Sequence, residues 1–351
     1  MVVERNPKDS MKSTWRSDPE KKGWSFHHYL YNWLSMNPSD LDRATPVHQK
    51  SDKMPYIPEF EAHKWVLPHA LWPLALHQLY TWYFSKPLHW IPAFIFYSIA
   101  YKINAIHEIN MMRNLGHTYG FLDGDKHARD EVPDHGVKKV FRSLSSTSTF
   151  RPFMTVFLAY RTASSPWDSL SFIYLPLELG LYGIVLDFFF YWYHRLMHES
   201  DFLWKFHRTH HLTKHPNPLL NLYADTEQEI FDIAIIPFLT YVTLKYVFRF
   251  PMGFSDWWLC HQYIVFTELF GHSGLRVWTS PPSTNGWLLS YFGMELCTED
   301  HDLHHRQGWK KSRNYGKQTR VWDVVFGTAG DRIEMKEGVV DWNEKVRLPW
   351  W

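Results

Sequence analysis

Apolar and polar positions fall into blocks along this chain. From residue 65 to residue 85 there is no Asp, Glu, Lys or Arg, and 87–101 is again uncharged, with Lys86 alone between the two stretches. Twenty-one helical residues rise about 31 Å, enough to cross a bilayer core, so the two stretches predict a helical hairpin. Its rings, among them Trp65, His69, Trp72, His77, Tyr80, Trp82, His89 and Trp90, favour a membrane interface over a bilayer centre. Full crossing and partial insertion both stay open.

Three more apolar stretches follow. The 171–193 stretch is interrupted by Glu178 and Asp187, 233–244 is bounded by Asp232 and Lys245, and 257–270 contains Glu268. Any one of them, short or charged, could be a buried core helix, but five clustered together favour a membrane part. Carboxylates inside a membrane are costly and face a protein interior, so Asp187 and Glu268 are expected to point at a site. Residues 1–60 form a polar, Pro-containing arm, 113–151 is polar, and 298–351 is hydrophilic, charged and rich in tryptophan.

Composition refines this picture. A mean hydropathy of −0.36 describes a soluble protein, yet here it averages a membrane part with a large polar part. The net charge of +1 argues against a nucleic-acid partner. Two cysteines, Cys260 and Cys297, exclude a disulfide framework, a four-cysteine zinc site and a cysteine-ligated iron–sulfur cluster. No cleaved export signal is visible in residues 1–22, which are charged and lack an apolar core.

Histidine carries the chemistry. Eleven of the 22 histidines lie between His194 and His305, and eight of them form three groups: His194 with His198, His207 with His210 and His211, and His301 with His304 and His305. Residues three or four apart share a helix face, so His194 and His198 can point at one centre, as can His207 with His210 or His211. Neutral imidazole suits iron, zinc, copper or nickel. Eight ligands are too many for one zinc; two metals sharing the set fit better. The His-Glu-x-x-His pattern of zinc proteases and the Pro-Cys-x-x-Cys of deaminases are absent. Isolated histidines such as His48, His63, His127 and His135 read as ordinary polar residues.

Topology agrees. Two crossings by the fourth and fifth apolar stretches would return the chain to its starting side, so that all three groups meet on one face. That face carries Arg195, Lys205, Arg208 and Lys214, then Arg306, Lys310, Lys311, Arg313, Lys317 and Arg320. By the positive-inside rule it is cytosolic.

With these boxes the sequence resembles the fatty acid hydroxylase and sterol desaturase superfamily of membrane-bound di-iron enzymes. The resemblance covers about residues 165–330. It rests on the three boxes in order and on Asn314-Tyr315-Gly316, Thr319, Trp322-Asp323 and Phe326-Gly327-Thr328 after the third. It implies an all-α fold of integral membrane helical hairpins with a cytosolic helical cap. Residues 1–60 would be an arm, 61–164 an N-terminal membrane hairpin and polar connector, 165–330 the catalytic domain and 331–351 a tail.

The resemblance further implies two irons held by the eight box histidines and by His272, in Phe270-Gly271-His272-Ser273-Gly274; His272 could equally be a helix-end cap. O2 would be a co-substrate, with electrons from NAD(P)H delivered by cytochrome b5 and its reductase at the endoplasmic reticulum membrane. No fused cytochrome b5 signature is present, so the donor would be external. Many relatives carry Tyr-x-His-Pro after box two, where this chain has Tyr223-Ala224-Asp225. Asp225 is thus a ligand, an acceptor for a ligand N–H, or a lost ligand, with His215 as an alternative. Asp187, Asp300 and Asp323 could orient imidazoles, since ligating histidines usually donate their other N–H to an acceptor.

The expected reaction is hydroxylation of an unactivated C–H bond in a lipid-like substrate, fatty acyl or sterol-like, drawn from membrane lipids. Desaturation at the same site is the alternative; box one, with its three-residue gap, leans toward the sterol desaturase branch. A non-catalytic metal-binding membrane protein and a soluble zinc hydrolase are the readings from other classes.

Overall fold

The computed structural model describes residues 9–350 apart from 19, 38, 125–128 and 310–311. His127, Lys310 and Lys311 lie outside the described residues. The chain is mostly helical. A short α1 (Phe26–Trp33) in the arm precedes two long helices, α2 (Glu59–Phe84) and α3 (Trp90–Tyr119), and then α4 (Val137–Met154). Helix α5 (Leu175–Glu199) leads into α6 (Asp201–His207), followed by α7 (Thr226–Val247) and α8 (Phe254–Gly271). The short α9 (Gly286–Tyr291), α10 (Thr298–Gln307) and α11 (Val321–Val325) complete the helices.

Helix α8 is the axis of the molecule, because all of its residues are buried. Its sequence is apolar on every side, as a helix surrounded by others requires. Helix α2 runs antiparallel to it: Trp258 Nε1 donates to the Ala70 carbonyl at 2.8 Å, and the His63 ring meets Tyr263 Oη at 2.8 Å. Helix α3 is antiparallel to α2, with His69 against His107 at 2.7 Å, Trp72 donating to Asn104 at 2.9 Å and His77 against Tyr97 at 2.9 Å. His69, His77, Tyr97 and His107 thus meet between the two helices, whereas Tyr80, Trp82, Tyr83 and Trp90 are exposed. Gly253, at the start of α8, admits the 166–170 loop, since a Cβ there would lie 2.2 Å from the Ser169 carbonyl.

Two helices, α5 and α7, are long and apolar enough to cross a membrane. Only 28% of the most apolar window of α7 is buried, against 50% for α5, so α7 is the more outward-facing of the two. It contains two π-helical stretches, Phe231–Ile235 and Thr243–Val247. The apolar 257–270 stretch forms most of the buried α8, and its Glu268 faces the protein interior, as expected. On α3, Ile91, Ile95, Ile99 and Ile103 repeat every fourth residue and are all exposed, as are Phe150, Phe153 and Phe157 after it. Exposed apolar side chains aligned in this way suit a membrane or a protein partner better than water.

The all-α expectation needs one correction. Strand β1 (Met54–Tyr56) pairs in parallel with β2 (Val340–Lys345), with Met54 opposite Val340 and Tyr56 opposite Lys345. A three-residue strand containing Pro55 shows no alternation that a sequence pattern could register. The pair clips the N-terminal arm to the C-terminal tail.

Trp258 is fully buried and packs edge-on against Tyr97, with ring centroids 4.8 Å apart. Trp258→Ala should therefore cost about 3–5 kcal/mol, measured as a lower unfolding midpoint of the detergent-solubilised protein.

Candidate metal centre

The last turns of α5 set His194 and His198 four residues apart on one inward face. The chain then breaks at Ser200, and α6 turns back to place His207 at its own C-terminus. A 3-10 turn, His210–Leu212, follows. His272 caps the C-terminal end of α8 and also lies among the clustered histidines. Helix α10 carries the third group, and its first turn is closed by Asp300, which accepts the Cys297 backbone N–H at 2.8 Å.

The nine histidines gather into two buried clusters. His194, His198, His207, His211 and His304 form one, and His210, His272, His301 and His305 the other; within each, one ring nitrogen per residue lies within 4.8 Å of all the rest. Both His-His doublets are divided: His210 and His211 go to different clusters, and so do His304 and His305. Adjacent residues point apart, so each doublet bridges the two centres.

The nitrogens facing each other are Nε2. His194 and His207 approach to 3.0 Å, His207 and His198 to 3.1 Å, His304 and His211 to 3.1 Å, and His301 and His272 to 2.9 Å. Most outer Nδ1 atoms are committed elsewhere. His194 Nδ1 donates to the Tyr315 carbonyl at 2.7 Å, His304 Nδ1 to Arg313 at 2.7 Å and His272 Nδ1 to Glu268 at 2.7 Å. His198 Nδ1 uses the Trp309 carbonyl, and His207 Nδ1 the Gln228 side-chain oxygen at 2.9 Å.

Burial holds His207, His210, His211, His301, His304 and His305 well below the usual imidazole range, and His272 is pushed down to about 4 by the same cause. A neutral imidazole whose Nδ1–H is donated outward keeps a lone pair on Nε2. Between His194 and His207, and between His207 and His198, where both Nδ1 atoms are committed in this way, lone pair then faces lone pair at hydrogen-bond distance with no proton between them. A cation among these nitrogens removes that repulsion, and an all-imidazole donor set is compatible with iron. His305 Nε2, buried with no hydrogen-bond partner, completes the second cluster.

A sequence model of the fatty acid hydroxylase family matches residues 179–328. The fatty acid hydroxylase vlmA of a Lecanicillium species is 44% identical over 302 residues, which cover 82% of this chain and 82% of that protein. This chain belongs to the fatty acid hydroxylase family. More distant similarity connects it to human alkylglycerol monooxygenase, 27% identical over 54% of this chain and 36% of that protein. It is also similar to methylsterol monooxygenase 2-2 of Arabidopsis thaliana, 30% identical over 43% of this chain and 52% of that protein. No solved structure matches. The protein is an oxidoreductase, a lipid-modifying oxygenase, and with its two apolar spans a membrane protein.

In this family member the acidic residues singled out in the sequence hold loops. Asp187 accepts the backbone N–H groups of Lys317, Gln318 and Thr319 at 2.6–3.1 Å, plus the Thr319 hydroxyl at 3.0 Å. Asp323 accepts the N–H groups of Tyr315 and Gly316, both at 2.8 Å. Together they fix the loop whose Tyr315 carbonyl orients His194, so they act one step behind the imidazole. Asp300 pairs with Arg332 at 2.8 Å. Asp225 lies outside both clusters: it pairs with Lys139 and accepts the Thr209 hydroxyl at 2.7 Å, beside His210. His215 Nε2 faces Asp123 at 3.3 Å, also away from the clusters.

Sequence reasoning missed the acceptors themselves. Backbone carbonyls of Tyr315, Trp309, Arg313 and Glu268 carry no sequence signature, and Gln228 carried no signal beyond lying downstream of box two. It also overcounted the basic face. Arg306 pairs internally with Asp302 at 2.6 Å, Lys317 with Glu268 at 3.1 Å and Arg320 with Asp300 at 3.6 Å. A polar cleft of about 380 Å³ reaches His304 between Gln307, Ser312 and Arg313. A larger apolar groove of about 590 Å³, lined by Leu71, Leu74, Trp82, Trp167 and Leu170, belongs to the Phe254 end of α8, opposite His272.

Losing an outer acceptor of a metal-ligating histidine typically weakens metal binding about 10–100-fold. Gln228→Leu should show this loss in a competition between the protein and an iron chelator. Asp225→Asn should retain the same iron content as the parent protein.

Proposed function

We propose that this chain is a membrane-bound non-haem di-iron oxygenase that hydroxylates an unactivated C–H bond of a lipid-like substrate. The observation that carries this reading is the division of nine buried histidines into a five-nitrogen and a four-nitrogen cluster bridged by the two doublets. Residues 165–330 are the catalytic unit in this reading. Its site faces the cytosol from an endoplasmic reticulum membrane, and the chain crosses that membrane more than once. The two apolar spans, the isoleucine row of α3 and the kinship with lipid oxygenases support the membrane placement.

A saturated carbon offers neither an acidic proton nor an electrophile, so side-chain acid–base chemistry cannot attack it. The bound irons would supply dioxygen activation, with electrons from NAD(P)H arriving through cytochrome b5 and its reductase. The chain's own contribution is positional. His194, His198, His207, His211 and His304 would hold one ion, and His210, His272, His301 and His305 the other. Tyr315, Trp309, Arg313, Glu268 and Gln228 fix the ring planes by accepting the outer N–H groups. Burial of all nine rings keeps bulk water away. The polar cleft beside His304 gives the donor a short approach from the polar side.

The test is expression with a cytochrome b5 system, followed by iron analysis and mass-spectrometric lipid profiling against His304→Ala. Two irons per chain and a hydroxylated lipid lost in the variant are expected. Identical profiles, or one zinc and no iron, would overturn the reading. A new double bond in place of a hydroxyl would make the enzyme a desaturase.

A further inference from the structure

Helix α4 sets Ser143, Thr147 and Arg151 four residues apart, hence on one face. That face turns toward Asp232 of α7, Glu268 of α8 and Lys317 of the loop after box three. Between them lies a cavity of about 30 Å³. One water needs about 10–15 Å³ of such space, so the cavity holds one or two polar heavy atoms. It is too small for a sugar or a phosphate ester.

Two of its carboxylates already face its two cations. Arg151 donates to both oxygens of Glu268, at 2.8 and 2.9 Å, and Lys317 Nζ lies 3.1 Å from Glu268 and 3.9 Å from Asp232. Two atoms are left over: Arg151 Nε, a donor, and Asp232 Oδ1, an acceptor, are buried without a hydrogen-bond partner. Orphaned buried groups of this kind are expensive unless something pairs with them. The recess also adjoins the supports of both clusters. Glu268 lends its carbonyl to His272, and Asp232 accepts from Gln228 at 3.2 Å, whose oxygen holds His207.

We propose that this recess receives the polar end of the substrate, and that this end is uncharged and both donates and accepts hydrogen bonds, as an alcohol or a primary amide does. The proposal rests on the oxygenase reading and names its substrate class. A free fatty-acid carboxylate is disfavoured, because Glu229 also lines the recess. Three carboxylates then face two cations, and a further buried anion would have no partner. Anchoring one end of the lipid here would fix which carbon reaches the metal centre.

The test uses the full-length protein in lipid nanodiscs and four radiolabelled probes differing only at one end: octadecanol, octadecanamide, octadecanoate and octadecane. Octadecanol and octadecanamide should bind at least about tenfold more tightly than the other two, a preference of about 1.4 kcal/mol. Thr147→Leu fills the recess without touching a charge. It should abolish that preference while leaving iron content and unfolding midpoint unchanged. Equal binding of all four probes, tighter binding of octadecanoate, no binding of any probe, or a preference that survives in Thr147→Leu would each overturn the proposal. Binding requires neither electron donor nor turnover. An enzyme that forms product without this preference therefore sinks the recess alone, whereas a preference without iron or product sinks the oxygenase reading alone.

Discussion

Buried imidazole nitrogens that face one another without a proton between them are the constraint on which the rest of this molecule depends. Such an arrangement is unfavourable unless a cation is present, so the surrounding structure must impose it. It does so by fixing the far side of the rings. Once Nδ1–H of His194, His198, His272 and His304 is committed to a main-chain carbonyl, and that of His207 to Gln228, each Nε2 has one direction in which to point. Those acceptors must in turn be rigid. Asp187 and Asp323 make them so for the loop after box three by gathering its backbone N–H groups.

Rigidity begins with α8. A helix buried along its whole length cannot tilt without disturbing α2, α3 and α5 at once, and His272 stands at its end. Behind α10 an ion network built on Arg129, Asp302, Arg306 and Asp123 serves the same purpose on the polar side. Box three reads His301-Asp302-Leu303-His304-His305-Arg306. Its histidines and its charged residues occupy opposite sides of one short helix, which explains why so polar a helix is almost wholly buried.

Much of the site was legible in the sequence because metal ligation demands particular side chains at particular spacings. The three boxes and His272 could be picked out without coordinates. What could not be read was the work done by the main chain and by residues distant in sequence. Nothing about Trp309 or Arg313 advertises a carbonyl aimed at a histidine. Asp225 stayed open in the sequence between ligand, acceptor for a ligand N–H and lost ligand, because its partners Lys139 and Thr209 lie elsewhere in the chain. The apolar 257–270 run stayed open between a core helix and a membrane segment. Hydrophobicity says that a helix avoids water, and protein interior and lipid satisfy that equally. Arg306, Lys317 and Arg320 looked like a basic surface because charge counts do not register internal partners.

The parallel pairing of β1 with β2 bears on the order in which this protein can be built. Residue 54 waits for residue 340, and a ladder closed across so much intervening chain is slow to form. During synthesis the arm therefore emerges long before its partner strand exists, and the helices bearing boxes one and two fold ahead of box three. The four-nitrogen cluster draws two of its members, His301 and His305, from that last box, against one of five for the other. Neither pocket is complete before that last box has been made, and the five-nitrogen one waits longer, since His194, His198 and His304 take their orientation from the carbonyls of Tyr315, Trp309 and Arg313 beyond it.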